Sequence, residues 1–380
     1  MKKELSVEEK FELITRNLEE ILTSEDLREL LENGEKLKHY IGFEISGKIH
    51  IGSGLMCMSK LKDFMDAGIE CSIFLADWHA WINDKLGGDI DVIKKVAVGY
   101  FKEGLKTSFK CIGGDPEKLK FVLGSDLYHN NDKYWQTLID VSKNTSLGRM
   151  QRSITIMGRK EGESVDFAKL MYPPMQVADI FIQGINIAHA GLDQRKAHVV
   201  AREVAEKLKI SPLFNKKKEK IKPVAVHHHL ILGLQKPPIW PVSKEQMQEL
   251  WSNMKMSKSI PDSAIFITDS PDEIKRKLNK AFCPEKEIEF NPVLDWAKYL
   301  VFRDKVILKI KRDKKFGGDV NYRSYMELEK DFVVGKLHPM DLKNAVAEKI
   351  VEILEPVRKH FEQPKIKKMR EEMERLIVTR

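Results

Sequence analysis

At 380 residues the chain is longer than one hydrophobic core usually spans, so two domains are expected. Its 42% hydrophobic and 32% charged residues exclude a disordered chain and predict a sizeable core under a charged surface. The net charge of +8 suits a polyanionic partner without specifying any chemistry.

The N-terminal residues lack the apolar core of a signal peptide. No stretch approaches the roughly 20 apolar residues of a membrane span. Cys57, Cys71, Cys111 and Cys283 are widely spaced, with no C-x-x-C pair, and suit a reducing compartment. A soluble cytoplasmic protein without membrane contact is the expectation.

Phe11, Leu13, Ile14, Leu18, Ile21 and Leu22 recur at three- and four-residue steps, which predicts an amphipathic helix. Ser24 and Asp26 read as the start of another, making residues 1–38 an N-terminal helical segment. A short strand follows at Tyr40-Ile41-Gly42-Phe43-Glu44, then the turn Ser46-Gly47-Lys48 and a helix from about His50 to Ala67. A second strand, Cys71 to Asp77, leads to a helix near Val92 to Thr107. Strands alternating with helices predict a parallel α/β sheet whose ligands lie at the carboxyl ends of the strands, where Gly42 to Gly47 and Asp77 to Asn83 fall.

Residues 118–169 are polar and helix-prone and read as an insertion in the sheet domain, which spans 39–262. A helix is predicted to begin at about Tyr172-Pro173-Pro174, because proline is tolerated in a first helical turn. The five lysines within 216–222 predict a solvated loop, with RNA contact as the alternative. From Ser263 onward, helical periodicity at 272–282, 294–302 and 342–361 predicts a second, mainly helical domain over 263–380.

Three constellations carry chemistry. Ser46 to Ser53 places a glycine-flanked turn, Lys48 and His50 where the first strand passes to its helix, and unpaired N–H groups there favour phosphate. His50 can donate to a phosphate oxygen, and Gly52 lets a nucleotide approach the backbone. Lys255-Met256-Ser257-Lys258-Ser259 is a loop able to bind the charge developing on a departing pyrophosphate. Tyr172, Gln176 and Asp179 fall at i, i+4 and i+7 on one helix face among apolar neighbours, where a buried carboxylate calls for a ligand hydroxyl or amine. A surface helix carrying polar residues is the alternative.

His79 serves equally well as a wall of the pocket or as a structural residue. The run His227-His228-His229 predicts no metal site, since adjacent side chains rarely converge on one ion. Between Arg303 and Lys315, seven basic residues stand against two acids, which suits RNA phosphates or a solvated helix face.

His50-Ile51-Gly52-Ser53 and the intact Lys255 to Ser259 string resemble the HIGH and KMSKS signatures of class I aminoacyl-tRNA synthetases. The resemblance implies a Rossmann-type sheet with ATP between the motifs and in-line attack of a carboxylate on the α-phosphate. It makes His50, Lys255 and Lys258 the catalytic residues and puts Gly42, His50, Gly52, Ser53 and Lys258 at the ATP. Ser53 stands where the pattern has a second histidine, which leaves open what supplies that contact. Mg²⁺ is expected with ATP, and no tightly bound cofactor.

Tyr40 to Glu44, Tyr172 to Asp179 and Gly191-Leu192-Asp193-Gln194-Arg195-Lys196 resemble the archaeal and eukaryotic type of tyrosyl-tRNA synthetase over almost the whole chain. The resemblance implies that Tyr40 and Asp179 bind the phenol hydroxyl of L-tyrosine, while Tyr172, Gln176 and Gln194 hold the amino-acid end. It further implies tRNA(Tyr) as partner, an anticodon-binding helical domain, and a homodimer with the insertion near its two-fold axis. Phe316-Gly317-Gly318-Asp319 and His338 to Asn344 resemble the anticodon-reading elements, with Phe316, His338 and Asp341 as candidates. Core packing of Phe316 and helix capping by Asp341 stay open as alternatives, as do a tryptophanyl enzyme, an inactive relative and a nucleotidyltransferase that does not use tRNA.

Overall fold

The fold comes from a computed structural model that describes residues 5–241, 254–256, 260–303 and 306–376. Its centre is a six-stranded sheet of β1 (Leu18–Leu22), β2 (Lys38–Glu44), β3 (Glu70–Ala76), β4 (Lys120–Leu123), β5 (Ile187–Gly191) and β6 (Val224–His228), in the order β1-β6-β5-β2-β3-β4. All neighbours are parallel except β1, which runs antiparallel along β6. The chain fills one side of β2 with β3 and β4, then crosses over to add β5 and β6 on the other. This reversal opens a crevice at the carboxyl ends of β2 and β5, where doubly wound sheets bind ligands.

The helices in chain order are α1 (Val7–Thr15), α2 (Ser24–Glu32), α3 (Cys57–Asp66), α4 (Asp77–Ile82), α5 (Ile90–Val96), α6 (Lys102–Cys111), α7 (Gly124–Tyr128), α8 (Asp132–Lys143), α9 (Leu147–Ser153), α10 (Phe167–Ile182) and α11 (Arg195–Val204). A π-helical turn, Gly52–Met56, leads into α3, and another, Ala97–Phe101, joins α5 to α6.

Four expectations need correction. The helix expected over 11–22 stops at Thr15, Asn17 takes a positive φ of 58°, and Leu18–Leu22 forms an edge strand with Ile21 opposite Val226. The run Leu-Glu-Glu-Ile-Leu fits either period, and pairing with β6 decides it. The stretch read as an insertion begins inside the sheet, since β4 pairs with β3, and α7 to α9, a 3-10 turn at Ile154–Met157 and the start of α10 follow. Four residues were too few to show a strand pattern.

The third correction concerns α10, which starts at Phe167 with the Asp166 carboxylate accepting from the Lys169 N–H at 3.1 Å, so Pro173 and Pro174 lie inside the helix. The cap sets the start, and the prolines forgo bonds to the carbonyls one turn earlier. Tyr172, Gln176 and Asp179 keep their shared face. Lastly, a hairpin of β7 (Leu308–Ile310) and β8 (Val320–Tyr322) lies in the C-terminal region, so the basic stretch runs through a strand and loop rather than along a helix face.

The rest of that region is helical, at Pro271–Lys280, Pro292–Trp296, Tyr325–Val333, Pro339–Ile353, Glu355–Phe361 and Pro364–Glu374. One buried apolar cluster runs from Ile14 through Phe64, Phe109 and Trp296 to Met373, and therefore joins the sheet to the C-terminal helices. A second, with Tyr128, Leu138 and Met175, fills the space between α8, α10 and the sheet. Each fully buried large apolar side chain contributes about 1.5–3 kcal/mol. The 216–220 lysine loop is exposed, as expected.

Candidate active site

A cavity of about 690 Å³ lies over the β2–β5 crevice. It gathers Tyr40, Gly42, His50, Gly52, Ser53, Tyr172, Gln176, Asp179, Gln194 and Lys255 from segments far apart in the chain. Lys258 lies outside the described residues.

At one end sit Tyr40 on β2 and Asp179 on α10, exposed by only 2% and 1%. Burial drives the Asp179 pKa well above its ordinary range, the Asp77 charge adds to this, and the Tyr128 hydroxyl opposes it. That hydroxyl donates to Asp179 Oδ1 at 3.1 Å. Burial, with the Asp179 charge, also raises the Tyr40 phenol, which stays protonated as a donor. His79 Nε2 lies 3.7 Å from Asp179 Oδ2, and its ring meets Tyr172 edge-on at 4.5 Å. Burial pushes its pKa down to about 3, so it faces the cavity as a neutral imidazole.

Further along the cavity, Gln176 Nε2 donates to Gln194 Oε1 at 3.3 Å, and Gln194 Nε2 donates to the Ile156 carbonyl at 2.8 Å. Gln176 Oε1 is buried and has no hydrogen-bond partner among the described residues. Buried acceptors are normally satisfied, so this oxygen is placed for a donor brought by a ligand. Glu44, at the end of β2, accepts from Asn83 Nδ2 at 2.8 Å and lies 3.7 Å from Lys85 Nζ. Its carboxylate brings negative charge to this part of the wall.

The opposite part carries His50, Ser53 and Lys255. The Ser53 N–H donates to His50 Nδ1 at 3.3 Å, and Ser53 Oγ lies 3.5 Å from His50 Nε2. Ser53 thus holds the ring that the preceding motif presents. A Cβ on Gly52 would meet His50 Nδ1 at 2.9 Å, so the glycine also makes room for the imidazole. Lys255 Nζ bonds Asp193 Oδ2 at 2.5 Å. Burial works against ionisation of Asp193, but the Lys255 charge prevails and holds the carboxyl below its usual range.

A row of buried histidines reaches the back of the cavity, which His189 and His228 line. His39 Nε2 meets His189 Nδ1 at 3.0 Å, His189 Nε2 meets His228 Nδ1 at 2.9 Å, and His228 Nε2 reaches Cys57 Sγ at 3.5 Å. Among the described residues no group of three or more His, Cys, Asp or Glu is arranged to hold a metal ion.

The three RNA candidates lie outside this cavity. Asp341 lines a separate hollow of about 270 Å³ with Lys275, Lys309, Lys311 and Asn344. His338 caps the helix Pro339–Ile353 by accepting from the Met340 N–H at 3.2 Å, so His338, rather than Asp341, is the capping residue. Phe316 is 65% exposed, with Lys315 Nζ 4.9 Å from its ring centre, which removes core packing as its role.

Tyr128, Glu44 and Asp193 were not singled out from the sequence. Tyr128 stands in a polar stretch whose fold was not legible. Glu44 and Asp193 stand within Tyr40 to Glu44 and Gly191 to Lys196, and a carboxylate inside each motif was the available signal.

Residues 32–355 match the family model described as tRNA synthetases class I (W and Y). A tyrosine–tRNA ligase of Thermococcus kodakarensis is 63% identical over 361 residues, covering 94% of this chain and 96% of the relative. The crystal structure of tyrosyl-tRNA synthetase complexed with L-tyrosine from Pyrococcus horikoshii superposes with a TM-score of 0.93 at 57% identity, covering 97% of this chain and 100% of that one. A tryptophanyl-tRNA synthetase of Aeropyrum pernix shares the fold, with a TM-score of 0.65 at 20% identity over 94% of this chain and 85% of its own. On this evidence the chain belongs to the class I tRNA synthetases, in their archaeal-type tyrosyl-tRNA synthetase branch.

Proposed function

We propose that the cavity over the β2–β5 crevice is where this ligase activates L-tyrosine with ATP, giving tyrosyl-adenylate and pyrophosphate, before tyrosine passes to the 3′ end of tRNA(Tyr). The observation that carries the reading is the buried pair Tyr40 and Asp179 at one end of the cavity. A phenol donates to Asp179 and accepts from Tyr40, whereas phenylalanine would make neither bond and leave the buried Tyr40 hydroxyl without that acceptor. The free acceptor of Gln176, with Tyr172 and Gln194, suits the substrate ammonium.

The tyrosine carboxylate then attacks the α-phosphate in line, a new P–O bond forms, and the bond to pyrophosphate breaks. His50, Lys255 and Lys258 stabilise charge on the phosphates, with Gly42, Gly52 and Ser53 beside the nucleotide, and no covalent enzyme intermediate is needed. Mg²⁺ enters with ATP as part of the substrate, since it usually binds through phosphates and one or two carboxylates. In the second step the terminal tRNA hydroxyl attacks the carbonyl and AMP leaves.

Residues 39–262, which hold most of the sheet, carry this chemistry, and 263–380 read the anticodon through Phe316, His338 and Asp341. The exposed ring of Phe316 supports stacking on a splayed base, and the lysines around Asp341 support backbone contact. A second copy of the chain covers exposed Trp135, Ile139 and Leu147 on α8 and α9, giving a homodimer. All four cysteines are free thiols, in keeping with the cytoplasm, and no described helix is long and apolar enough to cross a membrane.

The test is amino-acid-dependent exchange of labelled pyrophosphate into ATP with tyrosine, tryptophan and phenylalanine. Tyrosine alone should support it, and exchange driven by tryptophan instead would overturn the assignment.

A further inference from the structure

At the cavity wall, one polar assembly centred on His229 ties three parts of the chain to the segment that carries Lys255. His229, immediately after β6, is 3% exposed. Its Nδ1 meets Glu19 Oε1 of β1 at 2.7 Å, and its Nε2 meets Asp295 Oδ1 of the helix Pro292–Trp296 at 2.6 Å. The ring stacks on Tyr299 at 4.0 Å and 11°, and the Tyr299 hydroxyl donates to the same Glu19 oxygen at 3.2 Å. A carboxylate on each nitrogen requires a proton on each, so the ring is an imidazolium. Burial opposes that charge, but Asp295 and Glu19 outweigh it and push the pKa up to about 9.

The second oxygen of Asp295 accepts the Leu232 N–H at 2.9 Å, and Trp296 Nε1 donates to the Leu232 carbonyl at 2.8 Å. Adjacent side chains of one C-terminal helix therefore take both backbone groups of Leu232. On its other edge Leu232 faces Lys255 across an antiparallel bridge. The Gly233 N–H donates to the Met254 carbonyl at 2.6 Å, and the Met256 N–H to the Ile231 carbonyl at 3.3 Å. A Cβ on Gly233 would lie 3.0 Å from the Met254 carbonyl oxygen, so the two backbones are in close contact. The path from Asp295 to Lys255 is thus a continuous set of bonds through one backbone segment.

We propose that Asp295, oriented by the His229 imidazolium, is a positioning residue for adenylation. It fixes segment 231–233 and thereby presents Lys255 to the phosphates, so the C-terminal helices help to build the ATP site. The inference rests on reading Lys255 as part of the ATP machinery. The carboxylate is needed because it accepts two donors, one on each oxygen. An asparagine has one acceptor oxygen, and its amide group would face the second donor.

The test uses the full-length chain with Asp295→Asn, Lys255→Ala and the double variant, each first checked for folding by thermal melting. In tyrosine-dependent pyrophosphate exchange, Asp295→Asn should lower kcat about ten- to a hundred-fold, the scale of a displaced positioning group. The tyrosine KM should change less than about two-fold, because Tyr40 and Asp179 lie in another part of the cavity. The double variant should be about as slow as the slower single one, the mark of two residues acting through one path. A folded Asp295→Asn with wild-type kcat, or losses that multiply in the double variant, would overturn the proposal. Full exchange in Lys255→Ala would instead remove the reading of Lys255, and the proposal with it. Should Asp295→Asn not fold, Glu19→Ala, at an exposed position, serves as the second variant because it removes the oxygen that accepts from both His229 and Tyr299: a few-fold loss of kcat at constant tyrosine KM supports the proposal, and unchanged kcat overturns it.

Discussion

Tyr128 and Asp179 are bonded behind the cavity: the phenol oxygen lies 3.1 Å from one carboxylate oxygen and 3.3 Å from the other. The donor fixes the direction in which Asp179 faces the cavity and offsets part of the cost of burying its carboxyl group. Tyr128→Phe should therefore weaken tyrosine binding while leaving ATP binding near normal. Leaving a buried acceptor without its donor costs about 1–3 kcal/mol, or roughly 5- to 150-fold. Exchange kinetics with tyrosine and ATP varied separately provide the check, and an equal rise in both KM values would count against the role.

Gly52→Ala tests the end of the cavity that holds His50. The added Cβ would press on His50 Nδ1 at 2.9 Å and turn the ring away from the cavity. Exchange kcat should fall by about ten-fold or more, as misplaced catalytic groups cost on this scale. The melting temperature should hardly move, because Gly52 opens a helical turn at the cavity edge rather than filling the core.

Stability should depend on pH on both sides of neutrality. The folded-state pKa of His229 is raised to about 9, so its contribution is complete below the unfolded value and is lost as pH rises through about 9. Burial pushes His39 and His79 to about 3 and His228 to about 4, the reverse case. The unfolded chain takes up protons on these below about pH 6.5, so stability falls as pH drops toward the folded values. Melting curves from pH 4 to 10 should show both limbs, and His229→Gln should make the alkaline one, to which the buried thiols also contribute, shallower while leaving the acid one unchanged.

Asp341→Ala and Phe316→Ala should slow tRNA charging and leave pyrophosphate exchange near wild type, since both lie outside the cavity. Loss of a stacking aromatic costs about 1–3 kcal/mol per base. Equal loss of exchange and charging would exclude an anticodon role for these residues.

The parallel sheet and most cavity residues were legible in the sequence because short motifs fix a strand, a turn and a helix around themselves. Tyr40, His50 and Gly52 occupy one such unit, and Tyr172, Gln176 and Asp179 share a helix face wherever that helix begins. Features decided by distant partners were not legible. Leu18–Leu22 becomes a strand only because β6 pairs with it. His229 finds its two carboxylates 210 and 66 residues away, and no local pattern announces them. Tyr128 reaches Asp179 across 51 residues, from a short helix that periodicity cannot resolve.

The buried row His39, His189, His228 and Cys57 has a consequence of its own. Burial keeps the three rings neutral, so each carries one proton and can donate at one end only. A contact between two bare nitrogens, or between two N–H groups, is repulsive, so the choice made by one ring dictates that of the next. The row therefore has two self-consistent states, with every proton directed toward Cys57 or every proton directed toward His39. In the first the thiol sulfur accepts, and in the second it donates. Strands β2, β5 and β6 are joined to α3 by a line of dipoles that reverses as a whole, and its sense determines whether the cavity's rear wall presents a hydrogen-bond donor or an acceptor at Cys57.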